Sequence, residues 1–412
     1  MEELISQVER ITFKNGFTLI LFPRPDSALL AINLGMNLGN LFEKEEQRGI
    51  SALMQESLLK GTQRQSAVDF NRAVENLGAV IDSSSGYFTG RVVIRGPALN
   101  GEQMLQLFFE AVKSPAFREE EIEKERAFLV NVLRSLDDDP FQAAMLRFKR
   151  AFYGRHPYAF STLGEEETLS RLGEEEVWSW YRRTYVPNNM VVAVVGNFDS
   201  DEMIKIFERE MGEIIPRELV SPYSEGFSPT SLKIVSRKKV RDSWIVMGFK
   251  APGLLEEKER VVFDILNNIL GGGAYSRLFL KIREEQGLSY QVGSVYAPLR
   301  GPSFICAYAS FPHIYFDRVT GVLREEFRRL SNLEKEEFEE AKNYTRGSFL
   351  HSLETVSSLS SLLAFFEKVG LGWDFIFRYE EMLQAVSLPE AKAIYQQFSG
   401  QGESMGGVVP AE

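Results

Sequence analysis

One pattern occurs twice in this chain and restricts its fold more than any other feature. Residues 50–59 have helical spacing and stop at Gly61; a second helix opens near Ser66, a good N-cap, closes at Gly78, and leads into a strand at 79–82. Much later, Val261, Val262, Ile265, Leu266, Ile269 and Leu270 form one helical stripe, which stops at Gly271-Gly272-Gly273. A second helix there runs from Ser276 to Gly287, and a strand follows at 288–292. Between the copies, 211–229 carries Pro216, Pro222 and Pro229 with Gly212 and Gly226, a composition that continues neither a helix nor a central strand. The reading is a duplicated α+β domain: 1–210, a linker at 211–229, and 230–412, each an antiparallel sheet with helices packed on one face.

The remaining segments fit that plan. Leu19-Ile20-Leu21-Phe22 reads as a strand closed by Pro23 and Pro25, and Met190 to Val195 as a buried strand ended by Gly196-Asn197. The charged stretch 119–136 reads as a helix broken by Asp137-Asp138-Asp139-Pro140. Strands are expected at 243–249 and 302–310, helices at 333–350 and 388–398. The tail 400–412, rich in small residues, is expected to be loosely held.

The 412 residues include 47 Lys and Arg against 58 Asp and Glu, a formal net charge of −11. An acidic surface with no long basic patch argues against a nucleic-acid partner. Cys306 is the only cysteine, so no intramolecular disulfide forms. The start, Met1-Glu2-Glu3-Leu4-Ile5, is no secretory signal, and no run of 18 apolar residues exists to span a membrane. The expected compartment is the cytoplasm.

The stretch Gly49-Ile50-Ser51-Ala52-Leu53-Met54-Gln55-Glu56-Ser57-Leu58-Leu59-Lys60-Gly61-Thr62 resembles the signature helix of the pitrilysin/insulinase family of zinc peptidases, which includes the mitochondrial processing peptidase. Glu125-Arg126, the run Tyr185-Val186-Pro187-Asn188-Asn189-Met190, and Leu270 to Phe279 with Ile282-Arg283-Glu284 and Gly287-Leu288-Ser289-Tyr290 resemble further family motifs. The resemblance spans nearly the whole chain and implies half of a clamshell. It departs from the family at the chemistry. The zinc ligands would be two histidines four residues apart and a distant glutamate, with a general-base glutamate between the histidines. Those places hold Ala52, Glu56, Val132 and Gln55. Alanine and valine have no donor atom, and a neutral amide cannot take a proton from water. His156, His313 and His351 are all far from this helix in sequence. The chain is therefore expected to hold no zinc of its own.

The resemblance also assigns roles in the second half. Arg283 and Tyr290 match an arginine and a tyrosine that hold substrate carbonyls over the zinc site of a facing half. A guanidinium donates a fork of hydrogen bonds to peptide oxygens, and a phenol donates one to a developing oxyanion. The plain alternative is a surface ion pair for Arg283 and sheet packing for Tyr290. Gly271, Gly272 and Gly273 lack the Lys-Ser/Thr of a phosphate loop and read as a helix end; the resemblance makes them a substrate-touching loop. Asp82 and Ser83 fall on the strand that pairs with substrate backbone in active relatives, although the usual Asn-Ala-x-Thr is absent. His156-Pro157 reads as structural.

Two functions are implied. In the first, the chain is the zinc-less subunit of a heterodimeric peptidase, giving Arg283 and Tyr290 to a homologous zinc-bearing partner. In the second, it is an inactive scaffold or peptide-binding protein like the core proteins of a respiratory complex. The Arg283/Tyr290 pair favours the first, because a pure scaffold has no use for it. An independent hydrolase would need a nucleophile–base pair that the sequence does not display.

Overall fold

A computed structural model describes residues 6–411, and the chain forms two compact units. The first contains the described residues up to Leu133 with Thr162–Ser224 and His351–Phe377. The second contains Arg134–Ser161, Glu225–Leu350 and the chain from Arg378 onward. The changeover at Ser224/Glu225 falls inside the proline-rich stretch. Compared with a single cut there, two segments are exchanged: Arg134–Ser161 belongs to the second unit and His351–Phe377 to the first.

The first unit is built on strands β1 (Glu9–Thr12), β2 (Thr18–Pro23), β3 (Leu29–Asn37), β4 (Val80–Ser85), β5 (Thr89–Pro97) and β6 (Met190–Gly196). Their order is β1-β2-β6-β3-β5-β4. All pairs are antiparallel except β2/β6. Every residue of β6 is buried, as a valine-rich run without alternation demands of a strand covered on both faces. Helices including Ile50–Leu58 and Gly101–Lys113 cover one face; Gly90 of β5 points at Leu38 and the Gln55 amide there. The exchanged helix Val356–Val369 covers the other. Asn33 Nδ2 donates to Ser361 Oγ at 2.8 Å, and a Cβ on Gly35 would stand 3.3 Å from the Ala364 carbonyl oxygen.

The second unit repeats this plan with β7 (Lys233–Lys238), β8 (Ser243–Ala251), β9 (Val292–Ala297), β10 (Ser303–Phe311) and β11 (Ser404–Pro410). The order β7-β11-β8-β10-β9 has one parallel pair, β7/β11. Strand for strand it matches β2-β6-β3-β5-β4, so the duplication is real. Helix Glu257–Gly271 lies on one face, where Ser294 Oγ donates to the Asn267 carbonyl at 3.0 Å. The exchanged helix Pro140–Tyr153 lies on the other, with Phe148 edge-on to Phe304 of β10 at 5.0 Å.

Four expectations change. Each sheet carries one parallel pair, because its middle strand enters from a distant part of the chain. Helices cover both sheet faces rather than one, the second by a single exchanged helix. The tail is not loosely held: β11 lies inside its sheet and is buried from Ser404 to Val409. Its small residues serve contact, since a Cβ on Gly406 would fall 1.9 Å from the Phe148 backbone nitrogen. The strand expected at 288–292 begins at Val292 instead. Phe279–Glu285 is wound as a π-helix, and Gly287 (φ +59°) turns the chain so that the Leu288 N–H returns to the Ile282 carbonyl. That reversal uses the residues before the strand. Among the described residues no single helix is long and apolar enough to cross a membrane.

Candidate functional site

In the first unit, helix Ile50–Leu58 is buried at every position except Glu56. Its entry is fixed by Gly49 (φ +93°), where a Cβ would meet the Leu163 carbonyl oxygen at 2.7 Å. Glu43 caps the first turn, accepting from the Gly49 N–H at 2.9 Å and the Ser51 N–H at 3.0 Å. Burial raises the Glu43 carboxyl above its usual range, against the pull of those two bonds. Trp180 Nε1 donates to Ser51 Oγ at 3.1 Å, pinning the same turn.

The helix thus presents Ala52, Gln55 and Glu56 where the family's motif carries its chemistry. Gln55 is fully satisfied. Its Oε1 accepts from Tyr185 OH at 2.7 Å and from Ser83 Oγ at 2.8 Å, and its Nε2 donates to the Ser84 carbonyl at 3.1 Å. Burial drives the Tyr185 phenol well above its usual range, so it is a neutral donor. The base position has become a polar clamp between the helix and the edge strand β4.

Glu56 is half-buried. Burial raises its carboxyl first, the nearby charge of Glu125 adds to this, and Lys60 opposes both. Lys60 Nζ pairs with Glu125 Oε1 at 2.8 Å. An ammonium already serves these two carboxylates, while Ala52 and Val132 offer no donor atom. Among the described residues no three His, Cys, Asp or Glu side chains gather as a metal-holding group. The residues present do not fit a catalytic zinc.

On β4, Asp82 pairs with Arg95 at 3.2 Å, and the Ser83 hydroxyl turns inward to Gln55. β4 ends the sheet, so one row of its backbone groups has no strand partner. The expected substrate strand is an open edge, but neither named side chain is free.

In the second unit, Arg283 and Tyr290 are brought together. The guanidinium stacks over the Tyr290 ring at 4.3 Å and the Phe279 ring at 4.8 Å, and Nη1 donates to the Tyr290 carbonyl at 3.3 Å. Tyr290 is 76% exposed, and its hydroxyl has no partner among the described residues. The π-helical turn and the reversal at Gly287 put the two side chains on one another; a spacing of seven residues alone would not. Of the plain alternative, the surface ion pair is present, since Arg283 Nε lies 3.7 Å from Glu284 Oε1, but Tyr290 is not packed on the sheet. Of the glycines, Gly271 and Gly272 have packing roles: a Cβ would fall 2.3 Å from the Ser294 nitrogen and 2.2 Å from Asn268 Oδ1 respectively. Gly273 is the open member. His156, 6% exposed, accepts from the Tyr158 N–H through Nδ1 at 3.2 Å, and burial lowers its pKa to about 4.

Two residues of the site escaped the sequence reading. Tyr185 entered only as part of a strand-entry motif, and Glu43 gave no signal.

Two family models match this chain: Insulinase (Peptidase family M16) over residues 23–166 and Peptidase M16 inactive domain over 171–345. The chain belongs to the M16 peptidase family. It is 25% identical over 390 residues to an uncharacterized zinc protease of Rickettsia bellii, covering 93% of this chain and 92% of that protein. It is 26% identical to the Bacillus subtilis uncharacterized zinc protease YmxG, covering 86% of each. It is 23% identical to the Helicobacter pylori zinc protease PqqE, covering 86% and 82%. Among solved structures, a protease from Helicobacter pylori superposes with a TM-score of 0.90 at 20% identity, covering 98% of this chain and 99% of the other. A peptidase M16 inactive domain from Pseudomonas fluorescens superposes at 0.91 with 17% identity, covering 98% of each. Both structures share the fold. Within this M16 chain, the first family model covers both the helix that carries Ala52, Gln55 and Glu56 and the distant motif position Val132.

Proposed function

We propose that this M16 chain is the zinc-less subunit of a two-chain peptidase. It presents Arg283 and Tyr290 to a peptide held at the zinc of a homologous partner, within a chamber the two chains enclose. The observation that carries this reading is the free, exposed Tyr290 hydroxyl on a ring stacked under Arg283, in a chain where two of the three zinc-ligand positions, Ala52 and Val132, have no donor atom. The stacked guanidinium has hydrogens left for a substrate carbonyl, and the phenol is a donor for the oxyanion that forms when that carbonyl is attacked. The partner supplies metal and base; this chain supplies binding and orientation. The open edge of β4, including Asp82 and Ser83, and the loop at Gly271, Gly272 and Gly273 are assigned to holding the peptide backbone.

Co-expression with a zinc-bearing M16 relative from the same genome tests it. The chain alone should carry no stoichiometric zinc and cut no peptide. The mixed complex should elute as a heterodimer and gain chelator-sensitive turnover. A chain that stays monomeric beside every zinc-bearing relative, with no gain in turnover, would favour a solitary scaffold.

A further inference from the structure

The sheet face of the first unit that helix Val356–Val369 covers holds a cleft of about 350 Å³. Its floor is a row across three strands: Gly35 of β3 pairs with Arg91 of β5, and Arg91 pairs with Ser84 of β4. Residues paired across antiparallel strands share a face, and Gly35 faces Ala364 of the helix, so Arg91 and Ser84 lie on that side too. Gly35 has no side chain to fill the space above the row. The helix contributes Ser361, Phe365 and Lys368 to the wall.

The polar groups here are donors that lack acceptors. Arg91 Nε donates to Ser84 Oγ at 3.0 Å, and Asn33 Nδ2 donates to Ser361 Oγ at 2.8 Å. Each serine oxygen is thus engaged as an acceptor, and each hydroxyl hydrogen is left to be given away. Among the described residues neither hydroxyl has an acceptor, and the Thr89 hydroxyl and the outer Arg91 nitrogens have no partner. No residue that lines the cleft is acidic, in a chain whose formal net charge is −11. Two cations, three donor hydroxyls and no carboxylate match a ligand group with negative charge and several acceptor oxygens.

We propose that this cleft binds a small phosphate monoester by its phosphate group. The three terminal oxygens and the near-double charge of such a group suit Arg91, Lys368 and the hydroxyls of Ser84, Thr89 and Ser361. Phe365 and Leu362 beside them suit a small apolar or aromatic ester group, and the volume is that of a small-ligand cleft. All of these residues belong to the first unit, so the site needs no zinc-bearing partner.

Isothermal titration calorimetry of the purified full chain with phenyl phosphate, inorganic phosphate and benzoate is the test. Phenyl phosphate should bind about tenfold more tightly than inorganic phosphate, because its ring meets Phe365. It should also bind about tenfold more tightly than benzoate, which brings one charge and two oxygens. Its affinity should fall as salt rises. Arg91→Gln should weaken phenyl phosphate about tenfold, and Arg91→Lys, which keeps the charge without the fork, should recover part of that loss. Thr89→Val removes one donor at constant shape and should weaken it several-fold. Phe365→Leu should bring phenyl phosphate within about threefold of inorganic phosphate. Arg91 is exposed, and an unchanged melting temperature confirms that the variants are folded. Binding of neither phosphate, equal affinity for phenyl phosphate and either other probe, or full affinity in both Arg91→Gln and Thr89→Val each overturns the proposal.

Discussion

The two units share a strand order and a covering scheme, yet they treat the polar groups of their family motifs in opposite ways. In the first, the helix that carries the family motif has its central amide bound on three sides, its neighbouring carboxyl beside a lysine, and its first turn capped by a buried glutamate. In the second, Tyr290 stands with its hydroxyl unengaged. Buried polar groups are costly unless paired, so the polar side chains of a buried helix need partners; an exposed phenol is under no such pressure. On the proposed reading the second unit supplies the side chains that meet the peptide, and the first supplies only the backbone edge of β4.

The largest contrast concerns the two exchanged helices. Gly406→Ala places a methyl group against the Phe148 backbone and should destabilise the chain by more than about 3 kcal/mol, or prevent folding. Gly35→Ala meets the Ala364 carbonyl oxygen at 3.3 Å and should cost only about 1 kcal/mol. Urea denaturation of both variants measures the difference; equal costs would mean that the two exchanged helices approach their sheets equally closely, against the distances of 1.9 and 3.3 Å.

Gln55→Glu probes the clamp. Tyr185 and Ser83 still donate to the new side chain, but the bond to the Ser84 carbonyl is lost and a carboxylate is buried. The variant should lose about 2–3 kcal/mol at pH 8 and clearly less at pH 5, because burial raises its pKa and the penalty grows as the proton leaves. A loss independent of pH would mean that water reaches this position.

His156 gives a smaller effect. Its folded pKa of about 4 lies below the ordinary 6.5, so its contribution is present above pH 6.5 and is lost as pH falls toward 4. After allowance for solvent screening the loss should be about 1–2 kcal/mol. His156→Asn keeps an acceptor for the Tyr158 N–H and should flatten this part of the stability–pH curve. An unchanged slope would assign the acid sensitivity to other groups.

Much of this was legible in the chain itself. Helix Leu388–Phe398 begins and ends where the sequence places it, and the break at Asp139-Pro140 falls between two helices. β11 was hidden because its glycines look like a loop when the helix that needs them lies some 260 residues away. The exchange of Pro140–Tyr153 and Val356–Val369 was not legible either, since an amphipathic stripe tells that a helix is buried but not which sheet it covers. The motif positions Ala52, Gln55, Glu56 and Val132 were readable by residue type alone. The clamp on Gln55 was not, because its partners lie 28 to 130 residues away. The stacking of Arg283 on Tyr290 depended on a π-helical turn that no periodicity announces.

Steady-state kinetics of the zinc-bearing complex with Tyr290→Phe in this chain is the most direct measurement. The ring and its stacking remain and one oxyanion donor is removed, so turnover should fall about 10²–10³-fold, or roughly 3–4 kcal/mol, with the heterodimer and the partner's zinc unchanged. Adding Arg283→Ala should weaken substrate binding further, by less than the sum of the single effects, because both residues position one peptide. Full activity in the double variant would contradict the assignment and leave this subunit contributing walls rather than chemistry.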